Sequence, residues 1–241
     1  MKKLNVKRYL QDPSHCAVAA VASVANYYNE NIDYKHVKKM AIDKKVVKNA
    51  DVISESGLDD GEMGLLLNHL GFRKVTFITS ELKGFDYTWA KYTKNKLLKT
   101  MKENRNKIDL DYRGDFKSLY KWYKKKDYDN NIVIDYNFGK YIRKYINANK
   151  PVLISMNWTQ FFKFAKETDD KEDPVQGEPS LHEVVVYGYN KTKVYICDSH
   201  HEYYKYRLKR YRKGYYSVSW ENLMTIMGNG YMLLAENYYE N

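Results

Sequence analysis

Residues 182–198 read HEVVVYGYNKTKVYICD, and this stretch decides the fold. Two apolar runs flank Asn190-Lys191-Thr192, a cluster of turn-forming residues, so the segment reads as a β-hairpin with strands over 182–189 and 193–198. His182 opens the first strand and Asp198 closes the second. Whether the two meet depends on the turn. A hairpin centred on residue 190 sets them directly opposite, and one centred on 191 makes them diagonal neighbours on one face. A two-residue turn at Asn190-Lys191 would put them on opposite faces.

Working outward, Pro151–Asn157 reads as a strand, preceded by a helix through Tyr141, Ile142, Tyr145 and Ile146. The acidic run Glu167–Asp173, closed by Pro174 and Gly177, reads as a surface loop. Beyond the hairpin come a basic strand pair around Tyr203–Ser217, a short helix over Trp220–Ile226 and a last strand over Tyr231–Glu236. Upstream, Asp12-Pro13-Ser14 predicts a helix entry, and the helix runs from Ser14 to Tyr28 with small apolar residues on every side. Such a helix is a fully buried one. A second helix covers Tyr34–Ile42. Asp59-Asp60 caps a third, which Gly71 ends, and Phe72–Thr79 alternates as a strand. Residues 83–131 are rich in Lys and Tyr, with helices predicted near Lys91–Arg105 and Asp115–Lys125. Helices first and an antiparallel sheet after them make an α+β chain, read as one domain over 1–241 with 83–131 as an insertion.

The composition narrows the function classes. A chain of 241 residues, 44% hydrophobic, has enough apolar side chains for a core, which excludes disordered and collagen-like classes. Two cysteines exclude a disulfide framework and point to a reducing compartment or to indifference to redox, and the expected location is cytoplasmic, with secretion or delivery to another cell left open. No apolar run approaches a membrane span, and the Ala/Val run after Cys16 reads as a core helix rather than a signal peptide. The net charge of +11 and 25 tyrosines raise nucleic-acid binding. Segment 203–216 carries six cations and six tyrosines, so it could hold nucleic acid or an acidic partner. Yet the excess cation is Lys, which more simply reads as a solvated face.

Chemistry centres on Cys16. In the first turn of its helix the unpaired amides and the macrodipole favour a thiolate, the reactive form. With His182 as base and Asp198 holding the imidazole, the set has the nucleophile–base–orienter pattern. The rival metal reading draws on His15, Cys16, His182, Cys197, His200 and His201. It lacks any paired Cys-x2-Cys spacing, so no metal and no cofactor are expected.

These elements, taken in order, resemble a family: the papain-like cysteine peptidases, specifically the C39-like group with the bacteriocin leader-processing peptidases. Gln11-DPSH-Cys16-AVAAVASVANYY28 resembles the glutamine, the nucleophile and the long small-residue helix. Lys150–Met156 resembles the strand before the catalytic histidine, 182–198 the histidine–hairpin–aspartate element, and Ser219–Ile226 the helix after it. The resemblance implies a papain-like fold, with the nucleophile helix packed on the C-terminal antiparallel sheet. It also implies Cys16 as nucleophile, His182 as general base, Asp198 as orienter and Gln11 as an oxyanion-hole donor, acting on a peptide or protein substrate. An acyltransferase on the same fold, or a binding protein on an inactive version of it, are the alternatives.

Overall fold

The small residues of 16–28 form a helix that no side needs to present to water. The computed structural model describes residues 1–47, 57–168, 171–200, 213–228 and 230–239. After strand β1 (Lys2–Lys3), helix α1 (Cys16–Tyr28) buries every residue from Ala17 to Asn26. It packs on the sheet and against helices α2 (Tyr34–Asp43) and α3 (Asp60–His69). The entry of α1 differs from the sequence expectation. His15, not Asp12–Ser14, is the residue at the N-cap, because Ser14 takes a left-handed φ of 59° and turns the chain first. Asp12 instead accepts from Tyr34 Oη at 3.0 Å and Lys38 Nζ at 2.8 Å, which ties the loop to α2.

Helix α3 begins as its sequence suggests, with the Glu62 carboxylate accepting from the Asp59 backbone N–H at 3.0 Å. It ends before Gly71, whose φ is 105°. Strand β2 (Phe72–Thr79) follows, then helices α4 (Lys94–Asn104) and α5 (Arg113–Tyr123) and strand β3 (Asn131–Ile134). Next come α6 (Phe138–Asn147), β4 (Val152–Asn157) and the short α7 (Trp158–Phe162). Two-residue strands β5 (Glu167–Thr168) and β6 (Lys171–Glu172) pair where a loop was expected. Strands this short leave no alternation in the sequence. The chain closes with β7 (Leu181–Tyr189), β8 (Lys193–Cys197), β9 (Tyr215–Ser219), α8 (Trp220–Ile226) and β10 (Tyr231–Tyr238).

The architecture is mixed α+β, as the element order indicated. The main sheet runs β3-β2-β10-β4-β7-β8-β9, with β1 added to the turn end of β7. One pair departs from the antiparallel expectation: β3 lies parallel to β2. A parallel neighbour needs a long crossover. Much of the stretch from 83 to 131 supplies it, burying Phe116, Leu119 and Trp122 of α5.

Helices α3 and α5 approach closely at Gly61. A Cβ there would overlap the Ser118 backbone, while the Gly61 N–H donates to Ser118 Oγ at 3.0 Å. Gly61→Ala should therefore force the helices apart and cost about 3 kcal/mol, as overpacking does. Gly114→Ala, whose Cβ meets nothing closer than an Asp59 oxygen at 4.0 Å, should be near neutral. Urea unfolding midpoints of the two variants check this.

Candidate active site

The turn of the β7–β8 hairpin alone would separate His182 from Asp198. Next to it Gly188 pairs with Tyr195 and Tyr189 with Val194, a register that, carried along the strands, puts 182 and 198 on opposite faces. Between Val186 and Gly188 the register shifts, and beyond it Val186 pairs with Ile196 and Val185 with Cys197. That is the pairing of a hairpin centred on residue 191, in which 182 and 198 are diagonal neighbours on one face. The extra residue, Tyr187, is a β-bulge. His182 Nε2 then lies 2.8 Å from Asp198 Oδ1, with the two side chains 1% and 0% exposed.

Asp198 is held from several sides. Its Oδ1 also accepts the His200 N–H at 2.9 Å, and its Oδ2 accepts from Tyr216 Oη of β9 at 2.8 Å. Arg8 reaches in from the N-terminal segment, donating from Nε to the Asp198 carbonyl at 2.6 Å and from a terminal nitrogen to the His200 carbonyl at 2.7 Å. Both oxygens of Asp198 act as acceptors toward His200 and Tyr216, and the same role toward the ring puts the imidazole proton on Nε2 and leaves Nδ1 as the basic nitrogen. Trp158, the first residue of α7, covers the imidazole with ring centroids 4.2 Å apart.

Cys16 and Gln11 approach from the other wall. Cys16 opens α1 and is partly exposed. Gln11 Oε1 accepts from Ser199 Oγ at 2.6 Å, beside Asp198, which leaves its NH2 group as the end that can donate. Gln11, Cys16, Trp158, His182 and His200 line one cleft of about 450 Å³, with Asp198 behind the histidine.

A family model for the peptidase C39-like family matches residues 3–226. The chain belongs to the peptidase C39-like family. Among solved structures it is similar to a Bacillus anthracis protein provisionally described as a C39-like peptidase, at 16% identity and a TM-score of 0.45. That alignment covers 99% of this chain and 100% of the other. No curated protein matches.

The electrostatics of this C39-like chain depart from one expectation. The helix entrance was expected to favour a Cys16 thiolate. Instead, although the residue keeps some exposure, burial of its sulfur under the surrounding atoms, and then the Glu183 charge beside it, push the thiol well above the usual range. Its S–H donates to Glu183 Oε2 at 2.8 Å. A second cleft of about 360 Å³ meets Cys16 on that side, with Asp60, Asp115, Glu183 and Tyr231 on its walls. Burial, then the Asp115 and Glu183 charges, raise the Asp60 carboxyl well above the carboxylate range. Asp115 is raised to about 6, chiefly by burial and then by Asp59. The other cysteine, Cys197, is in the core, and burial pushes it up to about 12.

Several site residues went unread in the sequence: Arg8, Trp158, Glu183, Ser199 and Tyr216. Only the bulge had a local signal, a glycine inside a strand at 188. Of the metal candidates, His15 is buried with its ring against the Pro13 carbonyl, and His201 lies outside the described residues. Among the described residues no group of three His, Cys, Asp or Glu is placed to hold a metal, and no helix is long and apolar enough to cross a membrane. The nucleic-acid reading of 203–216 falls largely on residues outside that set. Two of its tyrosines are engaged internally, Tyr216 on Asp198 and Tyr215 on the Val6 carbonyl.

Proposed function

We propose that this chain is a cysteine peptidase that cleaves a peptide or isopeptide bond through a thioester on Cys16. The observation that carries the reading is the shared cleft: Cys16, Gln11 and His182 face it together, with Asp198 holding His182 by Nε2.

His182 Nδ1 takes the thiol proton as Sγ attacks the substrate carbonyl carbon. The oxygen of that carbonyl becomes an oxyanion, toward which the Gln11 amide and the Cys16 backbone N–H donate. A neutral amide stabilises that charge without quenching the base. Asp198 stabilises the imidazolium, which returns its proton to the leaving amine as the carbon–nitrogen bond breaks. Water, deprotonated by the same Nδ1, then attacks the thioester carbon, and the sulfur leaves and is reprotonated. Trp158 shields the His182–Asp198 pair from solvent, which strengthens it.

Incubation with a diverse peptide pool tests the reading. The expected result is cleaved product, with a mass increase on Cys16 when the reaction is quenched in acid. Prior alkylation of Cys16 should remove both. Cleavage that survives complete alkylation of Cys16 would overturn it.

A further inference from the structure

Cys16 makes a hydrogen bond that the proposed reaction does not use. Its thiol donates to Glu183 Oε2 at 2.8 Å, and the other oxygen of that carboxylate accepts from Tyr231 Oη at 3.0 Å. Glu183 is the residue after His182, so strand alternation sends the two side chains to opposite faces of β7. Cys16 shares one cleft with His182 and the other with Glu183. The Cys16 thiol therefore borders two clefts, one lined by an imidazole and the other by a carboxylate, and the structure records it on the carboxylate.

We propose that Glu183 is a positioning residue that holds Cys16 as a resting thiol, so that the nucleophile is released when its S–H turns from Glu183 to His182. This rests on the reading of Cys16 as nucleophile. On release the proton passes from Sγ to His182 Nδ1, and Glu183 keeps its bond from Tyr231, so no proton is gained or lost by the site.

The surroundings work in the same direction. Asp60 of α3 and Asp115 of α5 face Glu183 across the second cleft, with Asp59 at the start of α3. Tyr231 comes from β10, Tyr112 from the turn before α5 lies on Asp60, and Tyr34 of α2 is near Cys16. These groups are acidic or phenolic. A thiolate formed while Sγ still touches Glu183 would be a second negative charge beside that carboxylate, which is unfavourable. Turned toward His182, the same thiolate faces an imidazolium.

The test is the pH dependence of Cys16 alkylation by iodoacetamide, read by peptide mass so that Cys197 is counted separately. Glu183→Gln keeps the shape and removes the charge. Its Cys16 midpoint should fall by about one to two pH units, with alkylation at pH 7 about tenfold faster or more. Tyr231→Phe removes the donor that shares the Glu183 charge, so its midpoint should rise. Slow Cys197 alkylation in each variant reports an intact core. A Glu183→Gln profile that matches the parent or moves upward overturns the proposal. So does a Tyr231→Phe midpoint that is unchanged or lower. Failure of the peptidase reading looks different: no cleavage in any variant, with the Glu183→Gln shift still present.

Discussion

Replacing His182 with Ala is expected to lower peptide cleavage at least about 10³-fold, with Cys16→Ala lowering it at least as far. In the proposed mechanism both groups act in one proton-transfer unit, so the double variant should be no slower than Cys16→Ala alone. His182 is buried under Trp158 and donates to Asp198, so the Ala variant also opens a cavity. Loss of activity could then be blamed on folding. His182→Gln separates the two, since its amide can still donate to the carboxylate but offers no basic nitrogen to take the thiol proton. It should melt close to the parent and remain inactive. Cleavage within tenfold of the parent in a folded His182→Gln protein would sink the mechanism.

Asp198 supports a second contrast. Its buried carboxylate accepts from the His182 ring, the His200 backbone and the Tyr216 hydroxyl. Asp198→Ala strands these donors in the interior. With the desolvation of each unsatisfied group at about 1–3 kcal/mol, the variant should lose about 3 kcal/mol or more of stability. It should also lose about 10²- to 10⁴-fold in activity, because nothing then selects the imidazole tautomer. Asp198→Asn should be far milder. Its carbonyl can keep the places of Oδ1, facing His182 and His200, while its NH2 takes the place of Oδ2. The Tyr216 hydroxyl can rotate to accept, so the tautomer is kept. The expected outcome is near-parental melting and about a tenfold loss, from weaker stabilisation of the imidazolium. Equal loss in the Asn and Ala variants would show that the charge, rather than the geometry, carries the role of Asp198. Circular-dichroism melting and initial cleavage rates read both quantities.

The elements near the site were largely legible. Small residues on all sides of 17–26 marked a buried helix, and the apolar runs around 190–192 marked a hairpin. Cys16, His182 and Asp198 could be picked out by residue type and order, and the C39-like resemblance grouped them and added Gln11. What surrounds them was not legible. Trp158 sits on a five-residue helix, too short for a period to show. Arg8 and Tyr216 meet Asp198 from segments 190 and 18 residues away in the chain. The parallel strand β3 was hidden because a short strand after a long crossover has no turn to announce it.

By itself, then, the amino-acid order determined which residues could do chemistry and which segments would be helix or strand, because side-chain period is a local property. Tertiary structure decided which of those residues meet. One unopposed residue, Tyr187, sets His182 and Asp198 on the same face, since a shift of one position moves every side chain across the sheet. The packing of α1 on β7 decided the partner of Cys16. The helix entrance favoured a thiolate, but burial, and then the charge of a carboxylate 167 residues away in the chain and 2.8 Å from the sulfur, outweigh the helix dipole.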